Sequence, residues 1–317
     1  MKPSAAAKLE QLPTEQLNSS STDLDLKSSL EIARIINAED AKVAAVVARA
    51  LPQIAQGIDW ITDALGNGGR LIYVGTGTSG RIAALDASEC PPTFNVPPST
   101  VQFVMAGGVR ALSRAVEADE DSRELGVREI RKKKPGKTDV VIGIAASGRT
   151  PFTVAAVEYA RKAGAKTIAL ACNPDSPLER AAELAIVVET GPEVVSGSTR
   201  MKAGTAEKLV LNMLSTGAMV KLGYVYGNLM VNLHQKNSKL AARAIAIVEK
   251  ALRVDAKEAR VILTAAGNDV TVALVMRLAR LNRIAAQRAL KAADGHVRRA
   301  INESANNPKT GGAHGTI

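Results

Sequence analysis

Apolar residues recur at helical spacing from Leu26 to Leu65: Leu30, Ile32, Ile35 and Ile36, then Val43, Val46, Val47, Leu51, Ile54, Ile58 and Ile61. That period predicts two helices divided at Asn37-Ala-Glu-Asp40, with Asn67-Gly68-Gly69 stopping the second. The period then changes. Short apolar runs at 71–74, 101–104, 140–144, 167–171 and 184–188 alternate with helical stretches from Arg81, from Val109 to about Arg123, and from Ala146-Ser-Gly-Arg149 to Lys162. Continuous apolar runs of that length predict strands buried on both faces, hence an α/β fold with a five-stranded parallel sheet covered by helices. Helical spacing returns at 201–222 and 240–252, and residues 256–266, 270–277 and 284–291, with a last turn near 297–301, read as a small helical unit.

This pattern predicts four segments. Residues 1–25, polar and rich in serine, read as a loosely ordered arm. Residues 26–240 form the sheet domain with its N-terminal helices, 241–303 a helical C-terminal unit, and 304–317 a disordered tail. Hydrophobic residues make up 46% of the chain but aromatics only 3%, so the core is built from Ala, Val, Ile and Leu, which suits helices on a parallel sheet. No apolar run approaches the roughly 20 residues that span a bilayer, and the first residues lack the apolar stretch of a secretory leader. Cys90 and Cys172 form neither a disulfide framework nor a metal-binding spacing, which predicts a reducing, cytoplasmic compartment and no membrane partner. The net charge of +10 raises nucleic acid as a partner, but the one tight basic run, Arg131-Lys132-Lys133-Lys134, has no interleaved aromatics and reads as a solvated face. A positive field of this kind also steers small anions.

The chemistry concentrates in loops that follow strands. Gly75-Thr76-Gly77-Thr78-Ser79-Gly80 fits the pattern of dinucleotide-binding loops, yet the next strand ends Phe103-Val104-Met105-Ala-Gly-Gly without the acid that would hold a ribose. A phosphate monoester suits the loop better, because backbone N–H groups and the positive end of a helix cradle an anion while Thr76, Thr78 and Ser79 add hydroxyl donors. Ser147-Gly148-Arg149-Thr150 repeats the Ser-Gly-Arg of 79–81 after another strand, and Ser198-Thr199-Arg200-Met-Lys202 opens a helix after the last strand. Three hydroxyl-rich loops at one sheet edge predict a ligand that is itself rich in hydroxyls, such as a sugar phosphate. Histidine is almost absent: His296 and His314 read as surface residues and His234 has no assigned part. Carboxylates are therefore the candidates for proton transfer. Glu89 reads as the end of the helix that begins at the first loop, just before Cys90-Pro91-Pro92, where the negative helix end would raise its pKa. Glu120 lies in an acidic cluster, 117–121, that would by itself read as a solvated helix face.

These stretches carry a resemblance. Gly75-Thr-Gly-Thr-Ser-Gly-Arg81, Leu85-Asp-Ala-Ser-Glu-Cys-Pro-Pro-Thr93, Ala145-Ala-Ser-Gly-Arg-Thr-Pro151, Ser198-Thr-Arg-Met-Lys-Ala-Gly-Thr205 and Lys208–Thr216 resemble the N-acetylmuramic acid 6-phosphate etherases, bacterial cell-wall recycling enzymes with a sugar isomerase (SIS) domain. The run Asp-Ala-Ser-Glu-Cys-Pro-Pro is the most diagnostic. The resemblance is dense from about residue 14 to 240 and looser beyond. It implies an SIS-type three-layer sandwich with a small helical C-terminal unit, and a homodimer with sites near the subunit interface. It also implies a lyase without cofactor or metal that splits the D-lactyl ether of its substrate into N-acetylglucosamine 6-phosphate and D-lactate. The family's catalytic pair falls on Glu89, the proton donor, and Glu120, the second acid–base group, although Glu117-Ala-Asp-Glu120 departs from the expected Glu-Gly-Ala-Glu and keeps Glu117 open for the second role. Thr76, Gly77, Thr78, Ser79, Ser147, Arg149, Thr150, Ser198, Thr199 and Lys202 become the substrate-binding set. The competing readings are a sugar-phosphate sensor resembling the glucokinase regulatory protein and an aldose–ketose isomerase, which needs a base at C2 but no acid for a leaving group.

Overall fold

The computed structural model describes residues 12–114, 119–232 and 238–306. The chain divides into two compact units: one takes the residues up to Glu89 together with Pro97–Gly217, the other Cys90–Val96 with Ala218 onward. This division falls at 217/218, inside a helix, whereas the resemblance, dense only to about 240, placed the expected boundary there. Among the described residues no single helix is long and apolar enough to cross a membrane.

The first unit opens with three 3-10 turns between Pro13 and Leu26. The arm expected to be loose is instead tied down from residue 12. Thr14 is fully buried, its N–H donates to Asn173 Oδ1 at 3.3 Å, and Asn173 Nδ2 donates to its Oγ1 at 2.9 Å. Asn18 and Ser21 donate to the carbonyls of Pro192 and Val194. Polar side chains that read as solvent-facing here meet unpaired backbone acceptors.

Three helices follow, α1 (Ser29–Asp40), α2 (Val43–Ala48) and α3 (Leu51–Gly66), one more than the period predicts. A capping box between Ser28 and Glu31 starts α1, and the Asn37–Asp40 stretch is its last turn. The sheet comprises β1 (Leu71–Gly75), β2 (Val101–Met105), β3 (Val140–Ile144), β4 (Lys166–Ala171) and β5 (Leu184–Val187), all parallel in the order β2-β1-β3-β4-β5. All five strands expected from the apolar runs are present.

Between the strands lie α4 (Gly77–Phe94), α5 (Arg123–Lys133), α6 (Pro151–Lys162) and α7 (Pro177–Ala181), and α8 (Lys202–Lys221) follows β5. Alternation within the strands sends their side chains to two faces. Ile72, Val74 and Val141 pack with Ile130 of α5 and Phe152 and Ala156 of α6. Tyr73 points the other way, where its O–H donates to Asp86 of α4 at 2.7 Å. Helices thus cover both faces, the three-layer arrangement of an SIS domain. The basic run 131–134 closes α5, where cations complement the carbonyl end of the helix dipole, and Arg131 also stacks 5.3 Å from the centroid of Tyr159.

The second unit holds a short hairpin, β6 (Val225–Tyr226) with β7 (Leu229–Met230), and helices α9 (Ser238–Leu252), α10 (Ala256–Ala265), α11 (Val270–Leu278), α12 (Arg283–Ala292) and α13 (Val297–Asn306). Val248, Leu263, Leu274, Val275 and Ala286 make its core. Cys90–Val96 belongs here because Asn232 donates to the Phe94 carbonyl at 3.1 Å. His296 is half-buried against Gly223 rather than at the surface; the first three residues of the expected disordered tail, 304–306, instead belong to α13, while His234, His314 and the rest of that tail lie outside the described residues.

Candidate active site

In the order β2-β1-β3-β4-β5 the connections leaving β1 and β3 turn to opposite sides, which opens a crevice at the carboxyl ends of these two strands. Gly75 and Ile144 are register partners, so the first two hydroxyl-rich loops leave the sheet side by side. In the first loop Gly77 already begins α4, so the first N–H groups of that helix, which have no acceptor within it, lie just past the carboxyl end of β1. Thr76 and Ser79 are buried while Gly77 and Thr78 are half-buried. The second loop turns at Gly148, whose φ of +65° and whose missing Cβ, which would lie 2.3 Å from Ser176 Cβ, admit no other residue. Ser147 Oγ accepts from Arg149 N–H at 3.2 Å, Arg149 is exposed, and Thr150 precedes the first turn of α6.

Glu120 connects the two loops. Its carbonyl accepts from Phe152 N–H at 3.1 Å, in the first turn of α6, and its carboxylate Oε2 accepts from Thr76 Oγ1 at 3.0 Å. A Cβ on Gly77 would lie 3.3 Å from Glu120 Oε1, so the acid sits over the start of α4, where the helix dipole favours negative charge. The described part of the acidic cluster, residues 119–121, precedes α5 rather than lying on its face. Gly107 and Gly108 take positive φ, a 3-10 turn covers Gly108–Leu112, and α5 starts only at Arg123, capped by Ser122 Oγ accepting from Leu125 N–H. Of the predicted helix over 109–123, the described residues form only a 3-10 turn ending at Leu112 and then, at Ser122, the N-cap that sets the start of α5, so Glu120 precedes that helix. Glu117 lies outside the described residues.

Glu89 does not end its helix. α4 continues through Pro91 and Pro92 to Phe94, and Asn95 N–H donates to the Pro91 carbonyl at 2.9 Å. A proline removes a donor, but its carbonyl still accepts, so one more turn forms and Glu89 stands clear of the negative terminus. Its side chain is exposed. Twelve residues of helix separate it from Gly77, a rise of about 18 Å, so one chain alone does not bring Glu89 to Glu120.

The third loop differs most from expectation. Ser198 and Thr199 are half-buried, and the loop reaches the first one at Gly204, where a Cβ would stand 3.3 Å from Thr78 Cγ2 and 3.6 Å from the Thr199 carbonyl. The N-terminus of α8, however, is already filled: Glu193 accepts from Lys202 N–H at 3.0 Å and from Ala203 N–H at 2.9 Å. Lys202 does not reach outward either. Its ammonium pairs with Glu39 at 2.7 Å, with the two side chains only 4% and 5% exposed. Burial opposes the charged form of Glu39, but hydrogen bonds from Lys202, Lys42 and Asn18 outweigh it and hold its pKa down at about 2. Lys202 is therefore a buried structural cation rather than a substrate ligand.

Two further buried acids escaped the sequence reading. Asp86 accepts from Tyr73, Asn212 and Ser215 at 2.7, 2.7 and 3.1 Å, fixing α4 to β1 and to α8. Burial pushes its pKa up against these three bonds. Glu207 on α8 accepts from Ser79 Oγ at 2.8 Å, and burial pushes its pKa up to about 8. Both occupy the apolar stripe of their helices, Ala83-Asp86-Ala87-Cys90 and Ala203-Glu207-Val210-Leu214, and an acid within such a stripe was the available signal.

The crevice, its glycine turns and the bridging glutamate can be compared with known proteins. A family model described as the glucokinase regulatory protein N-terminal SIS domain matches residues 53–161, and one described as the SIS domain matches 134–217. A phosphoheptose isomerase structure from Francisella tularensis, 20% identical, aligns with 61% of this chain and 100% of its own at a TM-score of 0.48. An N-acetylmuramic acid 6-phosphate etherase from Brucella anthropi is 49% identical over 93% of this chain and 96% of its own. Relatives of the same name from Clostridium beijerinckii and Escherichia coli O1:K1 are 48% and 49% identical, covering 97% and 98% of their lengths. At that identity across nearly the full length of both chains, this protein belongs to the N-acetylmuramic acid 6-phosphate etherase family.

Proposed function

We propose that this enzyme cleaves the D-lactyl ether of N-acetylmuramic acid 6-phosphate, in the cytoplasm, with Glu120 as the base and Glu89 of a second subunit as the acid. The observation that carries the reading is the double anchorage of Glu120, side chain on the first loop and backbone on the second. A phosphate held by the α4 N-terminus and the two loops would bring the sugar past that carboxylate.

In the open-chain sugar the C1 aldehyde acidifies the C2 proton, which Glu120 removes. The electron pair forms the C2–C3 double bond as the C3–O bond breaks. The departing lactyl oxygen takes a proton from Glu89, because an alkoxide is a poor leaving group. Water then adds its hydroxyl to C3 and a proton returns to C2, which yields N-acetylglucosamine 6-phosphate and D-lactate. One base and one acid suffice. The rise of about 18 Å along α4 supports assigning the acid to a partner chain, and so a homodimer. Leu85, 51% exposed and one turn before Glu89, supplies apolar surface on the same helix face for such a contact.

Purified protein with N-acetylmuramic acid 6-phosphate should release one D-lactate per sugar, and Glu120→Ala or Glu89→Ala should each lose about 10²- to 10⁴-fold in kcat. Interconversion of aldose and ketose without lactate would sink the lyase reading. Co-expressing the two single variants tests the assembly. If the glutamates come from different chains, the mixed dimer regains one working site; a mixture as inactive as its parents would refute the shared site.

A further inference from the structure

Glu207 is 1% exposed and Ser79 8% exposed, and the contact between Glu207 Oε1 and Ser79 Oγ is 2.8 Å long. Ser79 lies in the first turn of α4, two residues after Gly77, and its hydroxyl carries a single proton. The contact therefore has two possible directions. An ionised Glu207 can only accept, and it takes the one proton Ser79 has. A neutral Glu207 can donate to Ser79 Oγ, and the Ser79 O–H is then free to turn to another acceptor.

The surroundings favour the neutral form. Ala203, Ala206 and Val210, all fully buried, flank Glu207 on α8. Cys172, which follows β4, interacts with Glu207: its thiol is raised by burial, by Glu207 and by Glu193, which follows β5. Cys172 and Glu193 are both acids, so neither stabilises a negative charge at Glu207. Burial accordingly pushes the Glu207 carboxyl up to about 8.

We propose that Glu207 is a positioning residue of the anion loop: its protonated carboxyl group donates to Ser79 Oγ and so releases the Ser79 hydroxyl proton to a bound phosphate monoester. The proposal rests on the sugar-phosphate reading above. It makes phosphate binding depend on a proton buried beneath the loop, on a group that touches no substrate atom. Above the point where Glu207 ionises, Ser79 reverts to donating inward, and the anion loses a donor and faces a new negative charge.

Calorimetric titration with N-acetylglucosamine 6-phosphate tests this. The monoester loses its second proton near pH 6, so its charge is constant from about pH 7.5 to about 9.5. In the native enzyme Kd should stay level up to about pH 8 and then weaken, approaching ten-fold per pH unit. Glu207→Gln, whose amide donates at every pH, should bind with a flat profile over that range. Ser79→Ala should bind more weakly and also flat. Equal slopes for the native enzyme and Glu207→Gln would overturn the proposal and leave the sugar-phosphate reading intact. A native-like slope in Ser79→Ala would overturn it too, because Ser79 would then not be the relay. If the native enzyme bound no sugar phosphate at any pH, the sugar-phosphate reading would fail and take the proposal with it.

Discussion

Lys202→Met separates a substrate lysine from a structural one. In the native protein Lys202 Nζ lies 2.7 Å from Glu39 Oε2, and neither side chain has more than 5% of its surface exposed. Removing the ammonium leaves a buried carboxylate with the neutral Asn18 amide and with Lys42, whose side chain is 61% exposed. Breaking one side of a buried pair costs about 3–5 kcal/mol, and the remaining exposed pair returns less than about 1 kcal/mol. A net loss of about 2–4 kcal/mol is a large part of the roughly 5–15 kcal/mol that holds a native protein together. For a unit of this size it corresponds to a fall in Tm of roughly 5–15 °C. The sign with pH follows from Glu39, whose pKa is held at about 2 against an ordinary 4.5. The stabilisation is present above 4.5 and is lost as pH falls towards 2, so the variant should lose part of the acid sensitivity of the native protein. Thermal melts at several pH values, run beside KM for D-lactate release, read both quantities. Glu39→Gln combined with Lys202→Met should recover most of the loss, since no buried charge then remains. A Lys202→Met protein that melts with the native one while its KM rises ten-fold would refute the argument and return Lys202 to the substrate.

Three other buried or constrained positions give measurable outcomes. Glu207, at about 8 when folded and 4.5 when unfolded, binds a proton on folding, so stability falls as pH rises between those values; Glu207→Gln should raise stability at pH 7 by about 2–4 kcal/mol and flatten that slope in urea titrations. Asp86→Ala removes the acceptor shared by the buried Tyr73 and Ser215 hydroxyls and the half-buried Asn212 amide, and should cost at least about 2 kcal/mol by chemical denaturation; a loss under about 1 kcal/mol would show that these groups find other partners. Gly148→Ala puts a methyl group 2.3 Å from Ser176 Cβ at a φ of +65°, so it should lower Tm and weaken sugar-phosphate binding together; native-like behaviour in both would mean the second loop is not built as described.

The alternation of short apolar runs with helical spacing determined the five parallel strands, because burial in the sheet leaves a continuous apolar signal within four or five consecutive residues. The glycine turns after β1 and β3 were equally legible, since their conformational demands are local and their hydroxyls sit in the same few residues. Only the tertiary structure decided what the isolated charged side chains do. Lys202 reads as an open-loop cation until Glu39, 163 positions away, closes on it. Glu207 reads as one more polar residue on a helix until Ser79, 128 positions away, is laid against it under the anion loop. Glu120 reads as a solvated acid until two loops from adjacent strands grip it. A charge takes its role from how far it is removed from water and which partner meets it there, and both are set by segments remote in the chain.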